Sequence, residues 1–211
     1  SFRAVMARVH KVIADIAPHD SVERYTALGV EVLQGYATVV DPWTVEIKLN
    51  DGSMQRLTTR SIVIAAGARP FVPPLPGLEA VGYVTSDTLW DKFATLDTPP
   101  ARLVVLGGGP IGCELAQAFA RLGSQVTQIE MADRLLARED AEVSQHASDS
   151  LMRDSVQVLT GHKALRCEQD ETGKYIVVEH AGQQQRIAFD ALVCAVGRVA
   201  RLTGYGLEKL G

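Results

Sequence analysis

Arg102-Leu103-Val104-Val105-Leu106-Gly107-Gly108-Gly109-Pro110-Ile111-Gly112 is the stretch on which the fold turns. Leu103 to Leu106 is an apolar run of strand length. From Pro110 to Leu122 the spacing predicts a helix with Ile111, Leu115, Ala118, Phe119 and Leu122 on one face. Between them lies G-x-G-x-x-G, in which the first glycine permits a tight turn. The second lets backbone approach a pyrophosphate, and the third lets helix pack on strand. The start of the helix offers unpaired N–H groups to phosphate oxygens. Gln125 to Glu130 reads as the next strand, ending on a carboxylate 23 residues beyond Gly107, where it is placed to accept both hydroxyls of an adenosine ribose. A bare tight turn explains the glycines but not the acid, so the combination reads as dinucleotide binding.

Further along, Glu139–Arg153 reads as a helix and Val156–Thr160 as a third strand. Hairpin-like stretches follow at Leu165–Cys167 and Tyr175–Glu179, then a last apolar strand at Ala191–Val196. Strand–helix alternation of this kind implies an α/β domain, Rossmann-like, with a parallel sheet and a β-hairpin insertion. Upstream, Phe2, Val5, Met6, Val9, Val12, Ile13 and Ile16 recur at helical spacing until Pro18, and Ser21 starts a short second helix to about Leu28. Val30–Leu33, Ala37–Val40, Thr44–Leu49 and Arg60–Ala66 are strand-like, with a hairpin turn at Asn50-Asp51-Gly52. Four prolines between Pro70 and Pro76 mark a connector, and Asp97–Pro100 a second. Between them Ser86 is expected to cap a short helix running through Phe93.

Of the 211 residues 46% are hydrophobic and 22% charged, ordinary for a chain that buries a core. Lys plus Arg number 21 against 25 Asp plus Glu, a net charge of -4, which argues against nucleic acid or an anionic membrane surface as partner. No apolar run reaches the roughly 18 residues of a membrane span. Cys113, Cys167 and Cys194 are scattered and make neither a disulfide framework nor a zinc site, so a cytoplasmic setting is the default. Cys113 falls at a helix start, where a thiol pKa can drop, yet its apolar neighbours favour a core role. The five histidines show no ligand spacing, and no metal site is expected. Glu130 would repel a 2′-phosphate, so NAD(H) is expected over NADP(H); Arg134 and Arg138 are the opposing consideration.

Four motifs occur in one order: Ile62-Val63-Ile64-Ala65-Ala66-Gly67-Ala68-Arg69-Pro70, Thr85-Ser86-Asp87, the glycine turn, and Ala195-Val196-Gly197-Arg198. In this the chain resembles the flavin-dependent pyridine nucleotide-disulfide oxidoreductases, among them dihydrolipoamide dehydrogenase, glutathione reductase and mercuric reductase. The run from Gly107 to Thr127 is most similar to mercuric reductase-like members. The family's FAD-binding glycine motif, its Cys-x4-Cys pair, its Gly-Asp flavin motif and its His-bearing dimerisation domain do not occur in these residues.

The resemblance implies a central piece of such an enzyme: 1–97 a partial FAD-binding domain and connector, 98–197 the NAD(P)-binding domain, 198–211 the start of the return to the FAD domain. It implies an enzyme that passes hydride from NADH to FAD and on to a disulfide or metal-ion acceptor, homodimeric at full length. By itself the piece is expected to be inactive. Gly107, Gly108, Gly109, Pro110, Ile111 and Gly112 would line the pyrophosphate and the nicotinamide entrance, with Glu130 on the ribose and Ala164 touching adenine. Gly197 and Arg198 would mark the crossing towards flavin. Glu114 matches a glutamate that pairs with a lysine near the flavin, here expected to be solvated. Tyr36, Ala37, Ala66 and Gly67 match backbone contacts to FAD, with Ser86 and Asp87 in a flanking motif.

The chain departs from the pattern at Pro110, where some members carry an aromatic lid, at Ala66 in place of Thr, and at Ala200-Arg201 in place of Pro-Asn. Two other readings stay open, a stand-alone dinucleotide-binding or redox-sensing module and an NADH oxidase or peroxidase-type flavoenzyme. The apolar stripe from Phe2 to Ile16 is expected to pack against absent parts of the FAD domain.

Overall fold

The computed structural model describes residues 1–210, which form two compact units: Ser1–His10 with Pro70–Arg198, and Lys11–Arg69 with Val199 onward. Helix α1 (Phe2–Ile16) follows the apolar spacing, and a 3-10 turn over Ala17–Asp20 replaces it where Pro18 lacks a backbone donor. Ser21 caps α2 (Val22–Ala27), its hydroxyl accepting the Arg24 N–H at 3.2 Å. Strands β1 (Gly35–Asp41), β2 (Thr44–Leu49) and β3 (Met54–Thr58) form an antiparallel meander, turning through Gly52 at φ +88° between the last two.

Two expected strands do not form. Val30–Leu33 and Arg60–Ala66 belong to no sheet among the described residues, and Val63 is 89% exposed. Apolar, β-branched composition favours a strand only where a neighbouring strand supplies the ladder, and here none does.

Next come β4 (Ala68–Pro70), α3 (Leu78–Val81), β5 (Val84–Thr85) and α4 (Leu89–Ala94). Ser86 is not the cap of α4. Thr88 stands at that position, its hydroxyl accepting the Thr85 N–H at 2.9 Å, while the Ser86 hydroxyl donates to Asp87 at 3.2 Å.

The alternating region then follows: β6 (Arg102–Leu106), α5 (Pro110–Arg121), β7 (Gln125–Ile129), α6 (Ala141–Arg153) and β8 (Gln157–Leu159). Strands β9 (Lys163–Asp170), β10 (Gly173–His180) and β11 (Gln183–Phe189) make a second antiparallel meander before β12 (Ala191–Cys194). Strand β13 (Arg198–Ala200) pairs with β4. The hairpin stretches at 165–167 and 175–179 are thus two of three strands, the third being the polar Gln183-Gln184-Gln185 run.

The main sheet has the order β5-β12-β6-β7-β8, every pair parallel. From β6 the chain steps outward to β7 and β8, then returns to the other side of β6 as β12, so the strand order reverses at β6.

Both faces of that strand are buried, as a parallel sheet covered on both sides requires. Leu103 and Val105 join Val126, Leu115, Phe119 and Phe93 on the helix side. Val104 and Leu106 join Ile129, Leu192, Ile176 and Phe189 on the side of the meander. The buried face of α5 is Gly112, Leu115, Ala116 and Phe119, the i, i+3, i+4, i+7 set. Ala118 is exposed and Leu122 36% exposed, so the expected face was rotated by one position.

The first half of the α1 stripe also departs from expectation. Phe2 and Met6 are buried in the helix-side core, Phe2 with its ring centroid 6.2 Å from that of Phe119, while Ile13 and Ile16 stay exposed. Among the described residues no helix is long and apolar enough to cross a membrane.

Candidate functional site

At the carboxyl end of β6 the chain turns on Gly107, whose φ of +119° lies in the left-handed region that side chains avoid. A Cβ there would run into the backbone of Ala195, just beyond β12. The turn is fastened on two sides: the Gly107 N–H donates to the Ile129 carbonyl at 2.8 Å, and the buried Gln128 amide donates to the Gly107 carbonyl at 3.0 Å. A Cβ at Gly108 would meet the side chains of Leu135 and Glu130 at 2.7 and 2.8 Å, and one at Gly112 would strike the Gly107 carbonyl oxygen. Gly109 is different: nothing lies within 4 Å of a Cβ there. The first, second and last glycines let the protein close on itself, and the third leaves open space in front of the turn.

Helix α5 starts directly behind that space with Pro110 in its first turn. No side chain caps Gly109, so the first N–H groups of the helix keep their capacity to bind an outside acceptor. Glu130 closes the other side. One carboxylate oxygen accepts the Gly108 N–H at 2.6 Å and the other the Ala132 N–H at 2.7 Å. Each oxygen retains a lone pair for a further donor such as a ribose hydroxyl. The 131–140 loop then folds back, its Leu136 N–H donating to the Gly108 carbonyl at 2.8 Å.

The sequence reading missed Gln128. A lone amide in the apolar strand Val126–Ile129 was the available signal, and it proves to be fully buried beneath the turn. Cys113 lies beside it, its thiol donating to the Gly108 carbonyl at 3.6 Å and facing the Gln128 amide at 3.5 Å. Burial pushes the thiol pKa up, with the Glu130 and Glu114 carboxylates adding to the rise and the Gln128 amide opposing it, the reverse of the drop that a helix start favours.

The profile of the family described as pyridine nucleotide-disulphide oxidoreductase matches residues 4–211. The chain belongs to that family. Its members are FAD-dependent pyridine nucleotide oxidoreductases. It is 37% identical over 188 residues to a dihydrolipoamide dehydrogenase of Chaetomium thermophilum, covering 87% of this chain and 36% of the relative. Against a mercuric reductase of Staphylococcus aureus it is 33% identical over 192 residues, covering 91% and 33%. A solved Cu(II) complex of the HOCl-induced flavoprotein disulfide reductase RclA from Escherichia coli superposes with a TM-score of 0.75 at 26% identity, over 97% of this chain and 44% of that one. The chain therefore spans between a third and a half of the length of these oxidoreductases.

The remaining residues singled out from the sequence fall in several places. Glu114 is exposed on α5, and Ala164 is half-buried at the start of β9, packed against the meander-side core. Gly197 has φ +135°, and Arg198 reaches back to Asp87 at 3.0 Å and Ser86 at 3.2 Å. The structure thus joins residues that the resemblance had assigned to opposite cofactor sides. Tyr36 and Ala37 lie on β1 in the other unit, the Tyr36 hydroxyl donating to the Gly204 carbonyl. Ala66 and Gly67 are exposed there, Gly67 at φ +74°.

A cleft of about 500 Å³ opens at the opposite ends of β6, β7 and β8, away from the glycine turn. Its arginines are engaged, Arg102 with Asp190 at 2.6 Å and Arg186 with Glu168 and Asp170. Among the described residues no group of three or more His, Cys, Asp or Glu side chains is placed to hold a metal ion.

Proposed function

We propose that residues 98–197 form a Rossmann-like domain that binds NADH at the glycine turn. In this reading the chain is the central portion of a flavin-dependent disulfide oxidoreductase. The observation that carries it is the glycine turn at the reversal of strand order, tied directly to the Glu130 carboxylate; ligands of open α/β sheets sit at such a switch point. Gly107, Gly108 and Gly112 shape the turn, and Gly109 leaves room for the pyrophosphate. The N–H groups at the start of α5, beside Pro110 and Ile111, receive its oxygens. Glu130 accepts the hydroxyls of the adenosine ribose, and Ala164 stands near the base.

NADH supplies the hydride and FAD receives it, with a disulfide or metal ion as the final acceptor in the full-length homodimer. This chain's own part is to hold and orient the nucleotide. Gly197 and Arg198, with Ser86 and Asp87, form the crossing towards the flavin-binding region. Tyr36, Ala37, Ala66 and Gly67 contribute backbone contacts to FAD, and Glu114 faces the flavin side. The exposed Arg60–Ala66 run supports this reading, since it has strand composition without a strand partner. By itself the chain carries no turnover.

Both Glu130 oxygens already accept backbone N–H bonds, which keeps the carboxylate fixed against a 2′-phosphate and favours NADH. One observation favours NADPH: Arg134 donates to the Ala137 carbonyl at 3.0 Å, but its buried Nη1 has no partner among the described residues. Calorimetric titration with both nucleotides decides between them. The expected result is saturable NADH binding, weaker NADPH binding, and a Glu130→Ala variant that loses NADH affinity and discriminates less. Equal affinities of the unsubstituted and variant chains for both nucleotides would sink the assignment.

A further inference from the structure

A turn that binds phosphate has to present N–H groups and keep its carbonyl oxygens elsewhere, because a carbonyl facing a phosphate repels it. The carbonyls of Gly107, Gly108 and Gly109 are each held by a different donor. The Gly109 carbonyl accepts the Cys113 N–H at 3.0 Å, in the first turn of α5, and the Gly108 carbonyl accepts the Leu136 N–H at 2.8 Å. Those two donors are backbone groups, which almost any sequence supplies. The Gly107 carbonyl is the exception: among the described residues its donor is a side chain, Gln128 Nε2 at 3.0 Å.

Gln128 stands in β7 on the face it shares with Val126, towards α5, and is fully buried. A carbonyl only accepts, so the Nε2 end of the amide is the end that faces Gly107. The same nitrogen also donates to the Cys113 sulfur at 3.5 Å, on the first turn of α5. A Cβ on Gly112 would lie 3.3 Å from that nitrogen and would strike the Gly107 oxygen, so amide and carbonyl meet directly behind the helix start. The other end of the amide is left over. Gln128 Oε1 is buried and has no partner among the described residues. An unpaired buried oxygen costs stability, and an apolar side chain of the same length would avoid that cost. A glutamine is therefore a poor filler for this strand and a good holder for the carbonyl.

We propose that Gln128 is a positioning residue for the pyrophosphate of the dinucleotide, turning the Gly107 carbonyl away so that the turn faces the phosphates with donors alone. The inference rests on the proposed NADH site and adds to it a side chain that lies behind the turn and acts only through it. A purely structural role makes the opposite demand: replacing Gln128 would then lower stability and weaken every ligand alike.

The test is calorimetry on the full chain with NAD⁺, ADP and adenosine, joined to circular-dichroism melts. Gln128→Met keeps the length of the side chain and removes both the donor and the unpaired oxygen. It is expected to leave the melting temperature close to that of the unsubstituted chain, because the lost hydrogen bond and the relieved oxygen oppose each other. NAD⁺ and ADP are expected to bind about tenfold more weakly, the scale of one ordinary hydrogen bond. Adenosine, which carries no phosphate, is expected to bind as before. Gln128→Glu is the second variant: its neutral carboxyl donates to the Gly107 carbonyl, and its ionised form only accepts. Burial raises the pKa of such a carboxyl. Relative to the unsubstituted chain, its NAD⁺ affinity is therefore expected to be nearly intact at pH 6 and to fall towards pH 9. If the methionine variant does not fold, that pH profile decides alone, and a flat one contradicts the proposal. Normal NAD⁺ binding by both variants, or a loss of adenosine affinity equal to that of ADP, would also overturn it. If Gly109→Ala still loses NADH affinity in that case, the NADH site stands without Gln128. If the unsubstituted chain binds no nucleotide, the proposed function falls and the role of Gln128 with it.

Discussion

Replacing Gly107 by alanine is expected to damage the fold, whereas the same change two residues on is expected to damage binding alone. At Gly107 the backbone sits at φ +119°, and a side chain held there carries strain of about 1–3 kcal/mol. The added Cβ would also meet the Ala195 carbonyl carbon at 2.7 Å and the Val196 nitrogen at 3.0 Å. Both are backbone atoms that cannot rotate away, and such overpacking costs a further 1–3 kcal/mol or so. The turn cannot drift to relieve the clash, because Ile129 and Gln128 hold it on the other side. Together the loss is about 2–6 kcal/mol, a large part of a typical total of about 5–15 kcal/mol. For a chain of this size that is a melting-temperature drop of roughly 5–20 °C.

At Gly109, with φ −76° and nothing within 4 Å of a Cβ, alanine is expected to leave the melting temperature within about 2 °C, as at sites without a special feature. There the methyl enters the space assigned to the pyrophosphate, so NADH affinity is expected to fall. Circular-dichroism melts and NADH titration of the two variants separate the effects. An unchanged melting temperature for Gly107→Ala would refute the steric reasoning, and unchanged NADH affinity for Gly109→Ala would refute the pyrophosphate assignment.

Acid is expected to loosen the β9–β11 meander. The Thr172 hydroxyl and then the Arg186 guanidinium hold Asp170 well below its ordinary 3.8, and Arg166 followed by Arg186 lowers Glu168 from 4.5. Carboxylates depressed in the folded state give stability that is complete above about pH 5 and lost as pH falls through the folded values. Melting temperature should therefore decline from pH 5 towards pH 2, and Arg186→Met should flatten that decline; an unaltered slope would contradict the ion-pair assignment. The thiols are expected to be sluggish, since burial raises all three, Cys167 to about 11. Ellman's reagent at pH 7 should label none promptly until denaturant is added, and one fast equivalent would overturn this. The purified chain is expected to hold no FAD after desalting, and a persistent flavin absorption band would refute that expectation.

The glycine turn, its strand, its helix and Glu130 were legible because their spacing is fixed by local geometry. The buried face of α5 was legible only to within one position, since Ala118 and Leu122 fit the helical period nearly as well as Gly112 and Ala116. Strand β11 was not, because its first residues are glutamines whose strand state comes from the partner β10 and not from their own apolarity. Arg60–Ala66 failed in the opposite sense: it has the composition of a buried strand and no ladder among the described residues. Helix α3 escaped notice as a single turn. It starts after Gly77 at φ +78°, where a Cβ would meet the Cys167 carbonyl, a contact far away in sequence. The stacking of the His162 and His180 rings was invisible for the same reason, and only the pairing of β9 with β10 brings His180 to His162.

The most direct measurement is the set of amide NMR shifts on adding NADH to the isotope-labelled chain. The largest changes are expected at Gly108, Gly109, Ile111, Gly112, Glu130 and Ala132, with β1–β3 unaffected. Saturating shifts confined to β1–β3, or none at the glycine turn, would contradict it.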